Sequence, residues 1–438
     1  MNSVLFKGAL TVLVFSIMIL WLLPGFLRAE LFTENSASTT LEMRPLTRLI
    51  THDLFSLNVI NLEWGAAWPT IRFKSWRNNH AFWEQLEPQM GKWKFDQLDN
   101  DVLLADRNGI EIMLLLGRTP TWASARPAES GCCGPNAPPG NRAEARDIND
   151  WRRYVRTVAT RYKGRVHVYE LWNEPDVGRF FSGTIDRLVE LNKAAYEEVK
   201  GVDPAITVVS SAMSMPKKRQ LEYFDRFLAK GGGHYADVIG FHFYVAPKAP
   251  ESMLPGIQEV RRIMERHGVQ KSIWNTETGW NMSNHDINEN HEAWAGAPLS
   301  DSDAGAYLAR SYILTWAAGV DRLYWYAWGH RSMGLTEWDA KTPKTVATAY
   351  TEIQDWLVGS TIRACQDNDD GIWFCDILFK DGRMAWIIWS PERNQKIILP
   401  TEYTVLQVRH LNGRRGTTPE GREIMVTPSP TLILPLSK

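Results

Sequence analysis

The segment VHVYELWNEP, residues 166–175, is a short apolar run that ends in a polar pair and a proline. Before it, apolar side chains keep helical spacing from Trp151 to Tyr162, and after it Thr184 begins a second helical pattern that ends at Gly201. A short apolar strand between two helices is typical of a unit whose strand belongs to a parallel sheet. This stretch therefore predicts an α/β fold.

Short apolar runs alternate with helical patterns along most of the chain. Together with residues 166–171, seven further runs are predicted strands, at 55–61, 74–80, 111–116, 207–211, 238–243, 272–275 and 322–328. Eight strands with intervening helices in about 300 residues indicate a (β/α)8 TIM barrel, which we place at residues 49–359. One unit is irregular, because the residues between the first two strands leave no room for a helix. A loop with Trp64, Pro69 and Arg72 takes its place.

After Gly359 the pattern changes to strands alone. They lie at 372–379, 384–390, 396–399, 403–410 and 431–436, which predicts a small β-sandwich-like domain at residues 360–438. The segment DNDDG at 367–371 contains the residue types of a calcium loop, but no Glu closes it at the spacing that such loops need. We therefore expect a hairpin or strand-entry turn there.

The N-terminal segment 8–27 carries no charge and lies between Lys7 and Arg28. Its length is that of a membrane-spanning helix. We therefore expect residues 1–29 to be a signal peptide cleaved after Ala29, or an uncleaved membrane anchor, followed by a linker at 30–48. Both alternatives stay open, and both predict an extracytoplasmic protein, periplasmic or secreted, which an uncleaved segment would anchor to the inner membrane.

The four cysteines lie at two places in the chain. An exported protein folds in an oxidising compartment, where we expect a disulfide between Cys365 and Cys375. Cys132 and Cys133 are neighbours in the loop after the third strand. A disulfide between them, two free thiols and a crosslink elsewhere are all compatible with their position. Four cysteines are too few for a disulfide scaffold and are not spaced as a zinc site.

Composition excludes some classes of partner. The 49 Lys and Arg residues nearly balance the 50 Asp and Glu residues, so no basic surface for nucleic acid is indicated. With 44% hydrophobic residues, a chain of 438 residues can bury a sizeable core. The 20 Trp residues are unusually many, and indole rings suit ligands that combine an apolar face with polar groups, as sugars do.

Two of the predicted strands end in a glutamate. Glu174 follows the fourth strand and Glu277 follows the seventh, and catalytic side chains of TIM barrels lie where strands end. Cleavage of a glycosidic bond needs such a pair, because one carboxyl protonates the leaving oxygen while the other stabilises charge at the anomeric carbon. A separation of about 5–5.5 Å retains the configuration and about 6.5–9.5 Å inverts it. The sequence alone does not contain this distance.

Three segments resemble a known family of enzymes. YELWNEP at 169–175, GFHFY at 240–244 and WEQLEP at 83–88 resemble the retaining glycoside hydrolases of clan A, and most narrowly family 39, which includes β-xylosidases and exopolysaccharide glycosidases. The resemblance extends over about residues 55–359. It implies that Glu174 is the general acid/base, that Glu277 is the nucleophile, and that Asn173 binds the sugar 2-hydroxyl. It also implies a β-linked substrate and no cofactor.

These two roles require different environments for the two carboxyl groups. Glu174 has to begin protonated, which apolar neighbours and the negative charge of Glu277 would favour. Glu277 has to stay ionised, which requires a nearby cation. Arg77, near the end of the second strand, is the expected cation, with Arg72 as the alternative because the missing helix leaves the register open. We expect Glu170 to be a structural ion-pair partner.

Other side chains near strand ends are expected to bind the substrate. His242 and Tyr244 alternate at the end of the sixth strand, where the resemblance implies sugar-binding groups, and Tyr244 is expected to donate its hydroxyl to the nucleophile. Trp325 is assigned to the core, because strand alternation prevents it from pointing the same way as Trp328. The tryptophans expected at the sugar site are Trp328, Trp122 and Trp280.

Together these features predict an exported retaining β-glycosidase that acts on a polysaccharide or oligosaccharide. A carbohydrate is its expected partner, joined by polysaccharide export machinery if the N-terminal segment anchors the enzyme. A carbohydrate-binding protein without turnover is the alternative. A metal-dependent hydrolase is a third reading, but only His242 lies at a strand end, and the cluster His285, Asp286, His291 and Glu292 lacks the spacing of a metal site. We therefore predict no metal.

Overall fold

The computed structural model describes residues 43–134, 136–284, 293–399, 406–417 and 422–435. The predicted signal or anchor segment at 8–27 and the cluster at 285–292 lie outside these residues. Among the helices of the described ranges, none combines the length and apolar character that crossing a membrane requires.

Eight parallel strands form a closed barrel, which confirms the predicted fold. Each strand pairs with the next along the chain, and β1 pairs with β8, with Phe55 opposite Leu323, to close the sheet. Catalytic groups of such barrels lie at the C-terminal ends of the strands. The strands are β1 (Phe55–Val59), β2 (Ser75–Asn78), β3 (Glu111–Leu116), β4 (Val168–Leu171), β5 (Thr207–Val209), β6 (Val238–His242), β7 (Ser272–Thr278) and β8 (Arg322–Trp328).

Helices pack around the barrel through the apolar stripes that their sequences predict. In the helix before β4, Trp151, Tyr154 and Val158 are buried, because residues three or four apart lie on one face of a helix. The side chain of Asp147 accepts a hydrogen bond from the Asn149 amide and caps this helix. The helices are α1 (Trp83–Leu86), α2 (Asp96–Arg107), α3 (Ile148–Arg161), α4 (Ile185–Val202), α5 (Lys218–Ala229), α6 (Met253–Arg266), α7 (Asp301–Ala317) and α8 (Thr345–Leu357).

The first unit of the barrel lacks an α-helix, as the short interval in the sequence predicts. A single 3-10 turn, Leu62–Trp64, follows β1 and lies between two residues in the left-handed conformation, Asn61 and Gly65. The Asn61 side chain donates a hydrogen bond of 2.8 Å to the Gly329 carbonyl beyond β8. The loop is thereby attached to the neighbouring strand end instead of to a helix.

The C-terminal residues form antiparallel sheets, which agrees with the predicted β-rich domain. A six-stranded sheet has the order β14-β13-β16-β11-β10-β9, and β12 and β15 form a separate two-stranded ribbon. Residues 368–371 form the hairpin turn between β9 and β10. The strands are β9 (Ser360–Asp367), β10 (Trp373–Phe379), β11 (Met384–Trp389), β12 (Gln395–Ile398), β13 (Leu406–His410), β14 (Arg415–Thr417), β15 (Glu423–Val426) and β16 (Thr431–Pro435).

Two links hold this domain together and attach it to the barrel. Cys365 of β9 and Cys375 of β10 stand opposite each other in the sheet and are joined by a disulfide. The indole of Trp389 in β11 donates a hydrogen bond of 2.8 Å to Glu251 before α6. The same carboxylate pairs with the buried Arg310 of α7 at 3.2 Å.

Candidate active site

The backbone at the end of β4 turns sharply and brings Glu174 to the barrel mouth. Trp172 and Glu174 both have positive φ angles, 59° and 43°, a conformation that is uncommon for residues other than glycine and is often found at functional sites. The Glu174 amide donates a hydrogen bond of 2.9 Å to the Ala212 carbonyl after β5. Neighbouring strand ends thus determine the position of this carboxyl group.

Irregular pairing positions Glu277 across the mouth. The register between β6 and β7 shifts after Phe241, so that His242 pairs with Glu277, and the pairing of β7 with β8 is also irregular near this point. Such bulges re-aim side chains beside active sites. As a result, Glu174, His242 and Glu277 each contribute one oxygen or nitrogen atom to a group whose members lie within 4.8 Å of one another.

Arg77 connects the groups around this pair. Its guanidinium is 6% exposed and donates to Glu170 at 2.5 Å, to Glu277 at 2.8 Å and to the Asn173 carbonyl oxygen at 2.8 Å. Although burial opposes the charge, the carboxylates of Glu170 and Glu277 hold the pKa of Arg77 above its ordinary value. The structure therefore places Arg77, rather than the alternative Arg72, beside Glu277. Arg72 is exposed.

The environment of Glu174 favours a protonated carboxyl group. Burial raises its pKa from 4.5 to about 7; the nearby Arg77 cation opposes this rise, and the Glu170 carboxylate adds to it. We expected the negative charge of Glu277 to contribute, but the contributing carboxylate is that of Glu170.

His242 contacts Glu174 directly from β6. Its Nδ1 atom lies 2.8 Å from a Glu174 carboxyl oxygen, and the ring is fully buried. Burial lowers the pKa of His242 to about 4, so the imidazole is neutral at neutral pH and shares one proton with the carboxyl group. Its Nε2 atom has no hydrogen-bond partner among the described residues.

Glu277 is held by two donors. The Tyr244 hydroxyl donates to one carboxylate oxygen at 2.9 Å, and Arg77 donates to the other at 2.8 Å. Burial, followed by the Glu277 carboxylate, raises the pKa of Tyr244 well above its usual value, so the phenol keeps its proton. Both donors stabilise a carboxylate that carries its charge.

Asn173 and Glu170 complete the arrangement behind the pair. The Asn173 carbonyl oxygen accepts from Arg77, so the amide nitrogen is the group left to donate to a ligand. Glu170 is fully buried and forms an ion pair with Arg77, in the structural position expected for it. This ion pair fixes the guanidinium, and the guanidinium in turn orients Glu277.

Two of the three tryptophans predicted at the sugar site, Trp328 and Trp280, are buried in the packing of the barrel, which corrects the prediction for these two. Trp328 is fully buried, and its indole donates to the Ala67 carbonyl in the loop after β1. Trp280 is 1% exposed and stacks on Trp325, which lies in the core as predicted. Trp122 is half-buried, packs edge-on against Trp83 and donates to the Glu87 carbonyl.

Other groups at the mouth were not predicted from the sequence. Trp294 is 46% exposed and lies edge-on to Tyr244, with ring centroids 5.1 Å apart. Its position in the long loop after β7 gave no periodic signal that could assign it. The sequence left open whether Cys132 and Cys133 pair with each other, and the structure joins them by a disulfide.

Glu174, His242 and Glu277 are also the residues that could approach a metal ion together. Two observations favour proton transfer instead. The Arg77 cation already stands 2.8 Å from Glu277, where a second cation would be repelled. His242 Nδ1 is directed at Glu174, an arrangement that shares a proton between the two groups.

Comparison with known proteins supports the fold. No protein-family model matches the sequence. A family 39 glycoside hydrolase from the gut symbiont Bacteroides cellulosilyticus WH2 superposes with a TM-score of 0.66 at 20% identity, covering 88% of this chain and 82% of its own. A family 39 β-xylosidase from Caulobacter crescentus has a TM-score of 0.59 at 15% identity, covering 89% and 97%.

A more distant group of structures shows the same architecture. A family 30 endoxylanase from Clostridium papyrosolvens C71 has a TM-score of 0.56 at 12% identity and covers 92% of this chain and 98% of its own. Identities this low establish the fold and leave the activity to be argued from the site. The chain is thus similar in fold to glycoside hydrolases of family 39, as the resemblance in its sequence implied, and also to those of family 30.

Proposed function

We propose that the protein is a retaining β-glycosidase that hydrolyses a polysaccharide or oligosaccharide through a covalent glycosyl-enzyme. One observation carries the proposal: oxygens of Glu174 and Glu277 lie within 4.8 Å, while their surroundings differ. Oxygens this close favour the separation of about 5–5.5 Å between the carboxyl groups of retaining enzymes over the wider one, about 6.5–9.5 Å, that admits a water in inverting enzymes.

In the first step Glu277 attacks the anomeric carbon while Glu174 gives its proton to the leaving oxygen. With a pKa of about 7, Glu174 carries a proton over much of the neutral range and can still release it. Arg77 and Tyr244 donate hydrogen bonds to the two oxygens of Glu277. The Asn173 amide would donate to the sugar 2-hydroxyl, a contact that strengthens in the transition state.

In the second step Glu174 acts as a base. Formation of the ester neutralises Glu277, and Glu174, now ionised, removes a proton from the water that attacks the anomeric carbon. The water displaces the Glu277 oxygen and releases the sugar with its original configuration. His242, neutral and 2.8 Å from Glu174, orients the carboxyl group in both steps.

The substrate configuration and the cellular location belong to the same proposal. A β-linkage is supported by the family resemblance, and an extracytoplasmic location by the uncharged segment 8–27. An enzyme held at the periplasmic face of the inner membrane would meet a polymer during its export. A glycan substrate is supported by Trp294, whose exposed indole ring lies edge-on to Tyr244.

The test compares the protein with its Glu277→Gln variant on a panel of aryl β-glycosides and polysaccharides, with released sugar as the readout. We expect activity in the wild type and a loss of at least about 10³-fold in the variant. Glu392→Gln is the control, because this exposed carboxylate has no ion pair among the described residues. Proton NMR of the first product is expected to show the β anomer.

Two outcomes would contradict the proposal. Full activity of Glu277→Gln would show that Glu277 is not the nucleophile. An α anomer as the first product would show that the enzyme inverts the configuration. Binding of a glycan by the wild type without release of sugar would indicate the alternative, a carbohydrate-binding protein. The roles of the two carboxyl groups are separated by azide: added to Glu174→Ala it should yield the β-glycosyl azide, because azide attacks the ester on Glu277.

A further inference from the structure

A cavity lies at the end of the barrel where the carboxylate pair lies. It has a volume of about 720 Å³ and opens where the loops after β1, β2, β3 and β8 meet, within the range of about 300–1,000 Å³ of small-molecule sites. Tyr326 of β8 lines it and packs against the apolar cluster that contains Tyr244, whose hydroxyl donates to Glu277. Asn79, which also lines it, comes two residues after Arg77. The cavity therefore adjoins the groups that position the pair.

Hydrogen bonds between loops hold the walls of this cavity in place. Asn61 donates to the Gly329 carbonyl at 2.8 Å, and the Ala67 amide donates to the Ala340 carbonyl at 3.0 Å. Both bonds join the loop after β1 to the loop after β8. The loops after β1 and β8 are therefore held together, as a preorganised binding site requires.

Aromatic side chains line the cavity. Trp64 is 81% exposed on the turn after β1 and lines the cavity, although so large an apolar side chain is rarely left in water. Trp338, from the loop after β8, also lines it, and the Arg331 guanidinium lies 4.1 Å above its ring. An exposed indole face stacks on a sugar ring while its edge meets polar groups.

Arg118 brings an incompletely compensated positive charge to the cavity. Its guanidinium stacks over the Phe82 ring at 4.0 Å, and its ion pair with Glu84 is long, at 3.4 Å. The Arg118 side chain is 23% exposed and lines the cavity. Burial lowers its pKa, which means that the protein compensates the charge poorly. An anionic ligand would supply the missing partner.

The remaining charges on the walls leave a positive excess. Arg331 and Lys341 are exposed, and neither forms an ion pair within the described part of the chain. The acids are already engaged: Glu63 lies 3.6 Å from His80, and the Asp339 carboxylate accepts the Lys341 amide and two groups of Thr342. Two exposed cations outside any ion pair of the described residues, beside an aromatic platform, favour an anionic ligand with a sugar face.

We propose that this cavity binds a sugar residue that carries an anionic group, with Trp64 against the ring and Arg118, Arg331 and Lys341 around the acid. The inference rests on the proposed function and deepens it: the substrate is an acidic polysaccharide that extends from the carboxylate pair into the cavity. Carboxylate on a uronic acid and sulfate on an esterified sugar share this chemistry.

The test measures binding apart from turnover, with the full chain carrying Glu277→Gln. Native gels are cast with polygalacturonate or alginate as uronate polymers, carrageenan as the sulfated polymer, or hydroxyethylcellulose as the neutral one. We expect retardation in acidic polymers and not in the neutral one. Adding Arg331→Gln and Lys341→Gln should weaken the apparent affinity about tenfold, and salt should weaken it as well. Trp64→Ala should weaken it to a similar extent.

All three side chains are exposed, so their substitution should leave the unfolding temperature unchanged. Lys380→Gln, an exposed lysine in the turn after β10, is the matched control and should not alter retardation. Retardation by uronate polymers would identify the anionic group of the bound sugar as a carboxylate. Retardation by carrageenan alone would identify it as a sulfate. Retardation in no acidic polymer, or equal retardation of the control and the Arg331 and Lys341 variants, would overturn the inference.

The outcome is separable from the test of catalysis. If the wild type cleaves only neutral glycans and no acidic polymer retards it, the glycosidase stands and the acidic subsite fails. If an acidic polymer is bound through Arg331 and Lys341 but no glycan is cleaved, the subsite stands and the proposed activity fails.

Discussion

The substitution Glu174→Gln should remove activity and stabilise the protein at alkaline pH. The folded-state pKa of this carboxyl group is raised from 4.5 to about 7. The protonated Glu174 contributes to the free energy of unfolding below the pKa that this group has in the unfolded chain. This contribution is lost as pH rises through the pKa that it has in the folded protein. At pH 8.5 the cost of ionising Glu174 in the folded protein is about 3 kcal/mol, and at pH 5 it is under about 1 kcal/mol. Glutamine has the same shape and never ionises.

Urea unfolding followed by tryptophan fluorescence checks this at both pH values. We expect Glu174→Gln to exceed the wild type in free energy of unfolding by about 2–3 kcal/mol at pH 8.5 and to be nearly equal at pH 5. Glu392→Gln, at an exposed position, should show no such pH dependence. In parallel, kcat/KM of the wild type should fall above pH about 7, as Glu174 loses its proton. If Glu174→Gln and the wild type differed in free energy of unfolding by the same amount at the two pH values, the inference that Glu174 is a buried acid with a raised pKa would be refuted.

Three further variants test the supporting groups. Tyr244→Phe removes a 2.9 Å hydrogen bond to Glu277 and should lower kcat about 10- to 100-fold without unfolding the protein; an unchanged kcat would show that the hydroxyl is not needed. Arg77→Lys loses hydrogen bonds that the guanidinium donates to Glu170, Glu277 and Asn173, and it should reduce the free energy of unfolding by about 3 kcal/mol. Urea unfolding measures this, and an unaltered midpoint would contradict it. Cys365→Ser with Cys375→Ser opens a short disulfide loop and should cost about 2–3 kcal/mol, and a reducing agent should then destabilise the parent protein more than the variant, which keeps only the Cys132–Cys133 disulfide.

Local patterns account for what could be predicted at the barrel mouth. Glutamates at the ends of the fourth and seventh strands could be recognised because an apolar run followed by turn residues indicates where a strand ends. His242 and Tyr244 alternate along one strand, and Tyr244 does contact Glu277. The choice between Arg77 and Arg72 needed the register of β2, which the irregular loop before it left open until the pairing with β3 was known.

The tryptophans illustrate where this reasoning stops. Nearness to a strand end predicted Trp328 and Trp280 at the site, yet the Ala67 and Lys248 carbonyls cover their indole groups. Whether a ring faces a ligand depends on which loop folds over it, and such contacts join residues far apart in the sequence. Trp64 and Trp294 remain exposed, and their exposure likewise depends on contacts between residues far apart in the sequence.

The sequence by itself determined the strand-and-helix alternation, the barrel class, the β-rich tail and the two carboxylates, because each depends on the order and spacing of nearby residues. Only the tertiary structure decided the approach of Glu174 to Glu277 within 4.8 Å and the pKa of Glu174 near 7. Both depend on the closure of the barrel between β1 and β8 and on the register shift beside His242. Distance and burial are properties of packed elements, and neither is encoded in any single segment of the chain.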